Sequence, residues 1–92
     1  MSILDLKENI ISDINILEKV NFRELKKLDL SSNNISDIQV LKNIHFEKLE
    51  ILFIHGNKID LIENQILISE LKSKITLFWI ESGDVFESLD NN

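Results

Sequence analysis

Few residues of this chain could do chemistry. Among its 92 residues are two histidines, His45 and His55, two glycines, Gly56 and Gly83, and no cysteine. Histidines and carboxylates together can ligate a metal, but neither an H-x-x-x-H nor an H-E-x-x-H spacing occurs. The glycines form no phosphate-binding loop, and there is no G-x-S-x-G motif for a nucleophilic serine. The sequence therefore predicts no enzyme, no catalytic residue, no metal site and no cofactor.

Composition narrows the possible partners. The chain has 16 acidic and 10 basic residues and a net charge of −6, whereas binding to a phosphate backbone needs clustered Lys and Arg. Its apolar stretches are too short to span a membrane, and its N-terminus lacks a signal-peptide pattern. The absence of cysteine excludes a disulfide framework. We expect a cytoplasmic protein that binds neither nucleic acid nor membrane.

Three asparagines, Asn9, Asn33 and Asn57, are equally spaced along the sequence. The apolar residues around them follow the same shift. The matching sets are Leu4, Leu28 and Leu52; Leu6, Leu30 and Ile54; Ile11, Ile35 and Ile59; and Ile14, Ile38 and Ile62. A fixed period of about 24 residues indicates a solenoid, in which each repeat forms one coil.

The repeating unit reads L-x-x-L-x-L-x-x-N-x-I and resembles the leucine-rich repeat. One copy fills every defining place, with Leu25, Leu28, Leu30, Asn33 and Ile35. The continuation "NNISDIQVL" is similar to the short-repeat classes of internalins and of a phosphatase-regulating subfamily. The resemblance covers roughly residues 1–62. It implies an α/β solenoid with a short parallel β-sheet on the concave side and short helices or 3₁₀ turns on the convex side.

The repeat spacing also predicts how the domain is divided. We expect a single domain over residues 1–92, with about three regular coils and a degenerate coil that caps the C-terminal end. The expected boundaries are about 1–24, 25–48 and 49–74, followed by 75–90 for the capping coil. Terminal repeats are expected to be atypical because they cap the stack.

The position of the asparagines has a physical reason. In L-x-L the side chains alternate, so Leu28 and Leu30 point inward and Asp29 points outward. The chain then turns and leaves backbone N–H and C=O groups buried without a partner, which is costly. A side-chain amide can both donate and accept hydrogen bonds. We therefore expect stacked Asn9, Asn33 and Asn57 to satisfy these groups as a structural ladder, as the family resemblance also implies.

The second half of each unit predicts helical turns. Asp13 and Asp37 precede apolar-periodic runs, as helix-capping residues do. The expected buried residues are Ile14, Leu17 and Val20 in one coil and Ile38, Leu41 and Ile44 in the next, and Phe22 and Phe46 are expected to fill the space before each following strand. The stretch "DLIENQILISELKSK" predicts a longer helix capped by Asp60. Its apolar stripe is expected to contain Ile62, Ile66, Leu67 and Leu71.

The last coil admits two strand registers. In one, Ile75, Phe78 and Ile80 point inward, and Gly83 takes the place of the ladder asparagine two residues late. In the other, Leu77 and Trp79 point inward. We favour the first register because it recovers more positions of the repeat.

The resemblance implies that the concave face binds a partner protein. Alternation places charged and small polar residues such as Lys27, Asp29 and Ser31 on this face in the early coils. Later coils place apolar and aromatic residues there, and such residues dominate interface hot spots. The predicted partner-binding residues are Ile51, Phe53, His55, Leu77 and Trp79.

An alternative function is self-association. No coil precedes the first one in this sequence, so its inward Leu4, Leu6 and Ile11 would have a bare face beside a sheet edge, which favours association. The chain could be a fragment of a longer array, could pair with a second copy, or could be a small domain of marginal stability. A homodimer could form through this coil, through the aromatic patch, or through both.

Overall fold

The protein is a short solenoid whose strands form one sheet. The computed structural model describes residues 2–81 and 86–87. The strands follow one another across the sheet in chain order: β1 (Ile3–Asp5), β2 (Lys27–Asp29), β3 (Ile51–Phe53), β4 (Leu77–Trp79) and β5 (Phe86–Glu87). β1 to β4 are parallel, and β5 runs antiparallel to β4.

Short helices connect the parallel strands on the convex side. Two are 3₁₀ helices, Asn15–Lys19 and Gln39–Asn43, and the third is an α-helix, α1 (Gln65–Lys74). The carboxylates of Asp13 and Asp37 accept hydrogen bonds from the backbone N–H groups two residues later, at 2.9 and 3.0 Å. The α/β solenoid expected from the sequence is therefore confirmed.

The strand register converts the sequence period into rows of stacked side chains. Ile3 pairs with Lys27, and Lys27 pairs with Ile51, so each pairing follows the repeat interval of the sequence. Ile51 pairs with Leu77, which means that the last parallel strand comes two residues late. Equivalent residues thus lie directly above one another, and each coil covers the apolar residues of its neighbour.

A single hydrophobic core lies between the sheet and the helices. Side chains completely or almost completely buried in it include Leu25, Leu28, Leu30, Ile35, Ile38, Leu52, Ile54 and Phe78. The rings of Phe22 and Phe46 stack at the end of the second half of their coils, with centroids 5.7 Å apart. Ile75 and Ile80 are buried with Phe78, so the chain adopts the first of the two C-terminal registers. Gly83 lies outside the described residues.

The predicted helix after β3 is shorter than the sequence suggested. It begins at Gln65, and the Asp60 carboxylate instead caps a turn, accepting hydrogen bonds from the N–H groups of Ile62 and Glu63, both at 3.0 Å. The residues that the apolar periodicity assigns to the first helical turn therefore form this separate turn.

The predicted apolar stripe of that helix is therefore only half right. Leu67 and Leu71 are buried and Ile68 is partly buried, but Ile62 and Ile66 are 79% and 75% exposed. Residues four apart share one face of a helix, and the pair at 67 and 71 occupies the face against the core. Ile66 lies about 100° around the helix from Leu67 and points into solvent.

Two further expectations are wrong. Val20 is 41% exposed rather than buried, and Ile44, its equivalent in the second coil, is only partly buried. Asp29 and Ser31, expected in solvent on the concave face, are both only 4% exposed. Asp29 lies in the middle of the sheet, flanked by Asp5 on β1 and Phe53 on β3, and strands on both sides shield it from water.

Candidate functional site

The turn after each strand is held by an asparagine. Asn33 is buried, and its Oδ1 accepts hydrogen bonds from the backbone N–H groups of Asn9 and Ile11 in the preceding coil, at 3.1 and 3.0 Å. Its Nδ2 donates to the carbonyl oxygens of Leu6, Leu30 and Ser31 at 3.0, 3.0 and 3.1 Å. One side chain thus satisfies five backbone groups from two coils.

Asn57 and Asn9 occupy the equivalent positions with fewer partners. Asn57 Oδ1 accepts from the N–H of Ile35 at 3.0 Å, and Nδ2 donates to Leu30 in the coil before and to Ile54 and His55 in its own coil. Asn9 is exposed, and its Nδ2 donates within its own turn, to the carbonyls of Leu6 and Lys7. The three side chains therefore bind turn backbone, and none is placed to do chemistry on a substrate.

The residue before each of these asparagines has a left-handed backbone, a feature that the sequence analysis missed. The φ angles of Glu8, Ser32 and Gly56 are 60°, 57° and 70°. A Cβ added at Gly56 would lie 3.1 to 3.3 Å from the Ser32 hydroxyl oxygen, backbone nitrogen and Cα. Gly56 was the signal for this conformation in the sequence, because glycine adopts a left-handed backbone without steric cost.

An aromatic cluster lies on the concave face, formed by Phe53, His55 and Trp79. The imidazole of His55 stacks on the Trp79 indole with centroids 3.5 Å apart and an interplanar angle of 17°. Phe53 meets the indole edge-on at 5.5 Å and 83°, and meets the imidazole edge-on at 5.9 Å and 66°. The two edge-on contacts of Phe53 have the geometry and distance that favour aromatic pairs, whereas the imidazole and the indole lie nearly face to face.

Polar contacts fix the aromatic cluster in place. The indole Nε1 of Trp79 donates a hydrogen bond to the carbonyl oxygen of Glu81 at 2.6 Å. The ammonium of Lys27 lies 5.3 Å from the centroid of the Phe53 ring, within the range of a cation–π contact. The Trp79 ring is therefore packed against the neighbouring aromatic rings, and its indole N–H is hydrogen-bonded to a backbone carbonyl.

All five predicted partner-binding residues come together on this face. Ile51 pairs with Leu77 and Phe53 pairs with Trp79 across β3 and β4, and His55 follows β3. Each of the five is half-buried rather than fully exposed, because the side chains of neighbouring strands cover one another. The sequence could place them on one face, but it did not reveal the stacking of His55 on Trp79.

Burial in the cluster disfavours the protonated form of His55. Burial lowers the pKa of His55 below its ordinary value of 6.5, and the nearby Asp29 carboxylate opposes this in part. The Asp29 Oδ1 accepts hydrogen bonds from the backbone N–H and the hydroxyl of Ser31, at 3.0 and 2.6 Å. Within the described residues, the buried Nδ1 of His55 has no hydrogen-bond partner.

The repeat is also found by comparison with known families. A family model for leucine-rich repeats in two copies matches residues 23–73, which is more than half of the chain. The chain belongs to the leucine-rich repeat family. Neither the curated proteins nor the solved structures gave a significant match. Leucine-rich repeat domains generally mediate protein–protein interaction and are typically non-enzymatic.

Two other kinds of feature, a metal site and a membrane-spanning helix, are not found in the described residues. Over residues 2–81 and 86–87, no three His, Cys, Asp or Glu side chains are grouped so as to hold a metal ion. In the same part of the chain, no helix has the length and apolarity that crossing a membrane requires. In this leucine-rich repeat domain, the concave aromatic cluster brings together residue types that are enriched at protein interfaces.

Proposed function

We propose that this leucine-rich repeat domain binds a partner protein with its concave face, and that Phe53, His55 and Trp79 form the centre of the contact. One observation carries the proposal. Along one row of the sheet the concave residue changes from Asp5 and Asp29 on β1 and β2 to Phe53 and Trp79 on β3 and β4. The backbones at these positions are equivalent, so folding alone does not explain the change.

The neighbouring row changes in the same way. Ile51 and Leu77 follow Lys27 along it, and together with the aromatic cluster they form a continuous apolar surface over two strands. Aromatic residues are enriched at the centres of interfaces, and charged residues are depleted there. Lys27 borders this surface on the β2 side, which places a charged residue beside the apolar centre.

The state of the cluster before binding also favours this role. Its rings already support one another, and the Trp79 indole is hydrogen-bonded to backbone. Side chains that are ordered before association lose less conformational entropy when a partner arrives. A pre-ordered aromatic surface is therefore a more efficient anchor than the same rings on mobile side chains.

Site-specific photo-crosslinking in cells tests the proposal. A photoreactive phenylalanine analogue placed at Phe53 is expected to form a discrete crosslink to one partner protein. The matched control carries the analogue at Ile62, which is exposed and lies outside the sheet. A partner that crosslinks from the Ile62 position and not from the Phe53 position would place the contact elsewhere on the domain and refute the proposal.

A further inference from the structure

We propose that a cleft between the second and third coils binds a small planar aromatic molecule without net charge, whose ring stacks on Phe46. The cleft lies between the end of the second 3₁₀ helix (Gln39–Asn43) and α1. The described residues that line it are separate from the concave aromatic cluster. This proposal therefore does not depend on the proposed function.

Two phenylalanines at equivalent positions of the repeat differ in burial. Phe22 and Phe46 precede β2 and β3 by the same interval, and their rings stack on each other. Phe22 is only 3% exposed, whereas Phe46 is only partly buried. Phe46 also lines the cleft. One face of its ring is thus covered by Phe22, and part of the ring is left open towards the third coil.

The third coil has no aromatic residue at the equivalent position. Leu52 pairs with Phe78 across β3 and β4, so Lys72 takes the place in the third coil that Phe46 takes in the second. Lys72 lies on α1 and lines a different depression, together with Leu61 and Ile80. The residue that corresponds to Phe46 therefore lies on the other side of α1 from the cleft.

The position of α1 leaves room for a ligand. The two 3₁₀ helices lie side by side, whereas α1 does not approach the second of them as closely. The third coil is also two residues longer than the second, as the pairing of Ile51 with Leu77 shows. The cleft between them has a volume of about 470 Å³, which falls within the roughly 300–1,000 Å³ of small-molecule sites.

The floor of the cleft is apolar. It is formed by the buried side chains of Leu41, Leu49, Leu67, Leu71 and Ile75. The corresponding groove between the first two coils is smaller, at about 350 Å³, and of the described residues that line it only Phe22 is buried. A ring that enters the larger cleft therefore leaves water for apolar surface, which is favourable.

The rim of the cleft indicates the charge of the ligand. Lys42 and Lys74 are balanced there by Glu47 and Glu70, and all four side chains are exposed. A rim with equal numbers of positive and negative side chains does not attract a ligand of either sign. An aliphatic ligand would bury similar surface, but an aromatic ring also gains a ring–ring contact with Phe46. These features together favour an uncharged planar aromatic molecule.

A titration of the protein with indole, followed by two-dimensional NMR of the backbone amides, tests the proposal. We expect saturable binding with a dissociation constant of about 0.1–1 mM, as is reasonable for a ligand of this size. The amide signals of α1 and of the second 3₁₀ helix should shift, and those of β3 and β4 should not. Cyclooctanol, which is apolar but not planar, and indole-5-carboxylate, which is charged, should both bind more weakly than indole.

Two variants change the cleft itself. Phe46→Leu keeps an apolar side chain but removes the planar ring, so it should weaken indole binding by about three- to tenfold. Glu70→Trp places a competing ring at the rim and should weaken binding by about tenfold or more. Glu63→Trp is the matched control, because Glu63 is also exposed but does not line the cleft, and it should bind indole as the parent does.

Circular dichroism establishes which variants are folded. Glu70 is exposed, so Glu70→Trp decides the question even if Phe46→Leu fails to fold. Four results overturn the proposal: no saturable shifts, shifts confined to β3 and β4, equally tight binding of cyclooctanol or indole-5-carboxylate, or an unchanged dissociation constant for indole in a folded Phe46→Leu or Glu70→Trp variant. Equal weakening by Glu63→Trp and Glu70→Trp would overturn it as well.

Discussion

The Oδ1 atom of Asn33 accepts a hydrogen bond from the backbone N–H of Ile11, 22 residues earlier, at 3.0 Å. This bond joins the turn of one coil to the turn of the coil before it. Four further bonds from the same side chain satisfy backbone groups of both turns. The asparagine side chain thus provides hydrogen-bond partners for backbone groups that have none in the sheet once the strand has ended.

The first prediction concerns this side chain. Replacement of Asn33 by Leu should lower the free energy of unfolding by about 2–4 kcal/mol, because buried N–H and C=O groups lose their partners. Asn9→Leu should cost clearly less, since the Asn9 side chain is exposed and forms hydrogen bonds only within its own turn. Urea melts of both variants measure the difference. Equal losses of unfolding free energy in the two variants would show that the contribution of the asparagine does not depend on its position within the stack.

The second prediction concerns the left-handed position before the ladder. Gly56→Ala should destabilise by about 1–2 kcal/mol, because a Cβ disfavours positive φ and would also press on the Ser32 backbone. Glu8→Gly, at the equivalent position with φ 60°, should stay within about 1 kcal/mol of the parent, since relief of strain offsets the added flexibility of the unfolded chain. Thermal melts check both. A silent Gly56→Ala would mean that the turn relaxes freely.

The third prediction concerns pH. Because burial lowers the pKa of His55 below 6.5, the unfolded chain takes up a proton at a higher pH than the folded chain does. The contribution of His55 to stability is therefore fully present above about pH 6.5 and is lost as the pH falls towards the lower folded pKa.

His55→Phe isolates this effect, because a phenyl ring can still stack on Trp79 and does not titrate. Urea midpoints of the parent and the variant, measured from pH 7.5 to 5, should diverge in favour of the variant as the pH falls. Parallel curves over this range would show that the imidazole titrates alike in the folded and the unfolded chain.

Periodicity made the fold predictable from sequence. The constant repeat interval determined which residues stack, and the counting of motif positions placed Phe78 inward two residues late. The resemblance to leucine-rich repeats supplied the curvature and the asparagine ladder. These features depend on local alternation and on the repetition of one unit, and both are visible in a single sequence.

The features that the sequence did not predict depend on neighbours. The turn capped by Asp60 contains Ile62, and the face of the helix that packs on the core carries Leu67 and Leu71, so Ile62 and Ile66 are exposed despite their apolar spacing. Asp29 is buried because strands flank it on both sides, which alternation within one strand cannot reveal. The stacking of His55 on Trp79 depends on side-chain rotamers that the pattern leaves open.

The concave contact is probed best at Phe53. Alanine is the right replacement, because an aspartate there would lie directly opposite Asp29 on β2 and would destabilise the sheet by like-charge repulsion. Phe53→Ala removes the ring that meets both Trp79 and His55 edge-on. Ile62→Ala is the matched control, since it also removes apolar surface but lies outside the sheet.

The decisive measurement is the dissociation constant of the crosslinked partner, determined by calorimetry for the parent chain and these two variants. Loss of a buried Phe should weaken binding by about ten- to a hundredfold, while Ile62→Ala binds as the parent does. Thermal melts should show that all three chains remain folded at the temperature of the titration. An unchanged dissociation constant for a folded Phe53→Ala variant would contradict the concave aromatic contact.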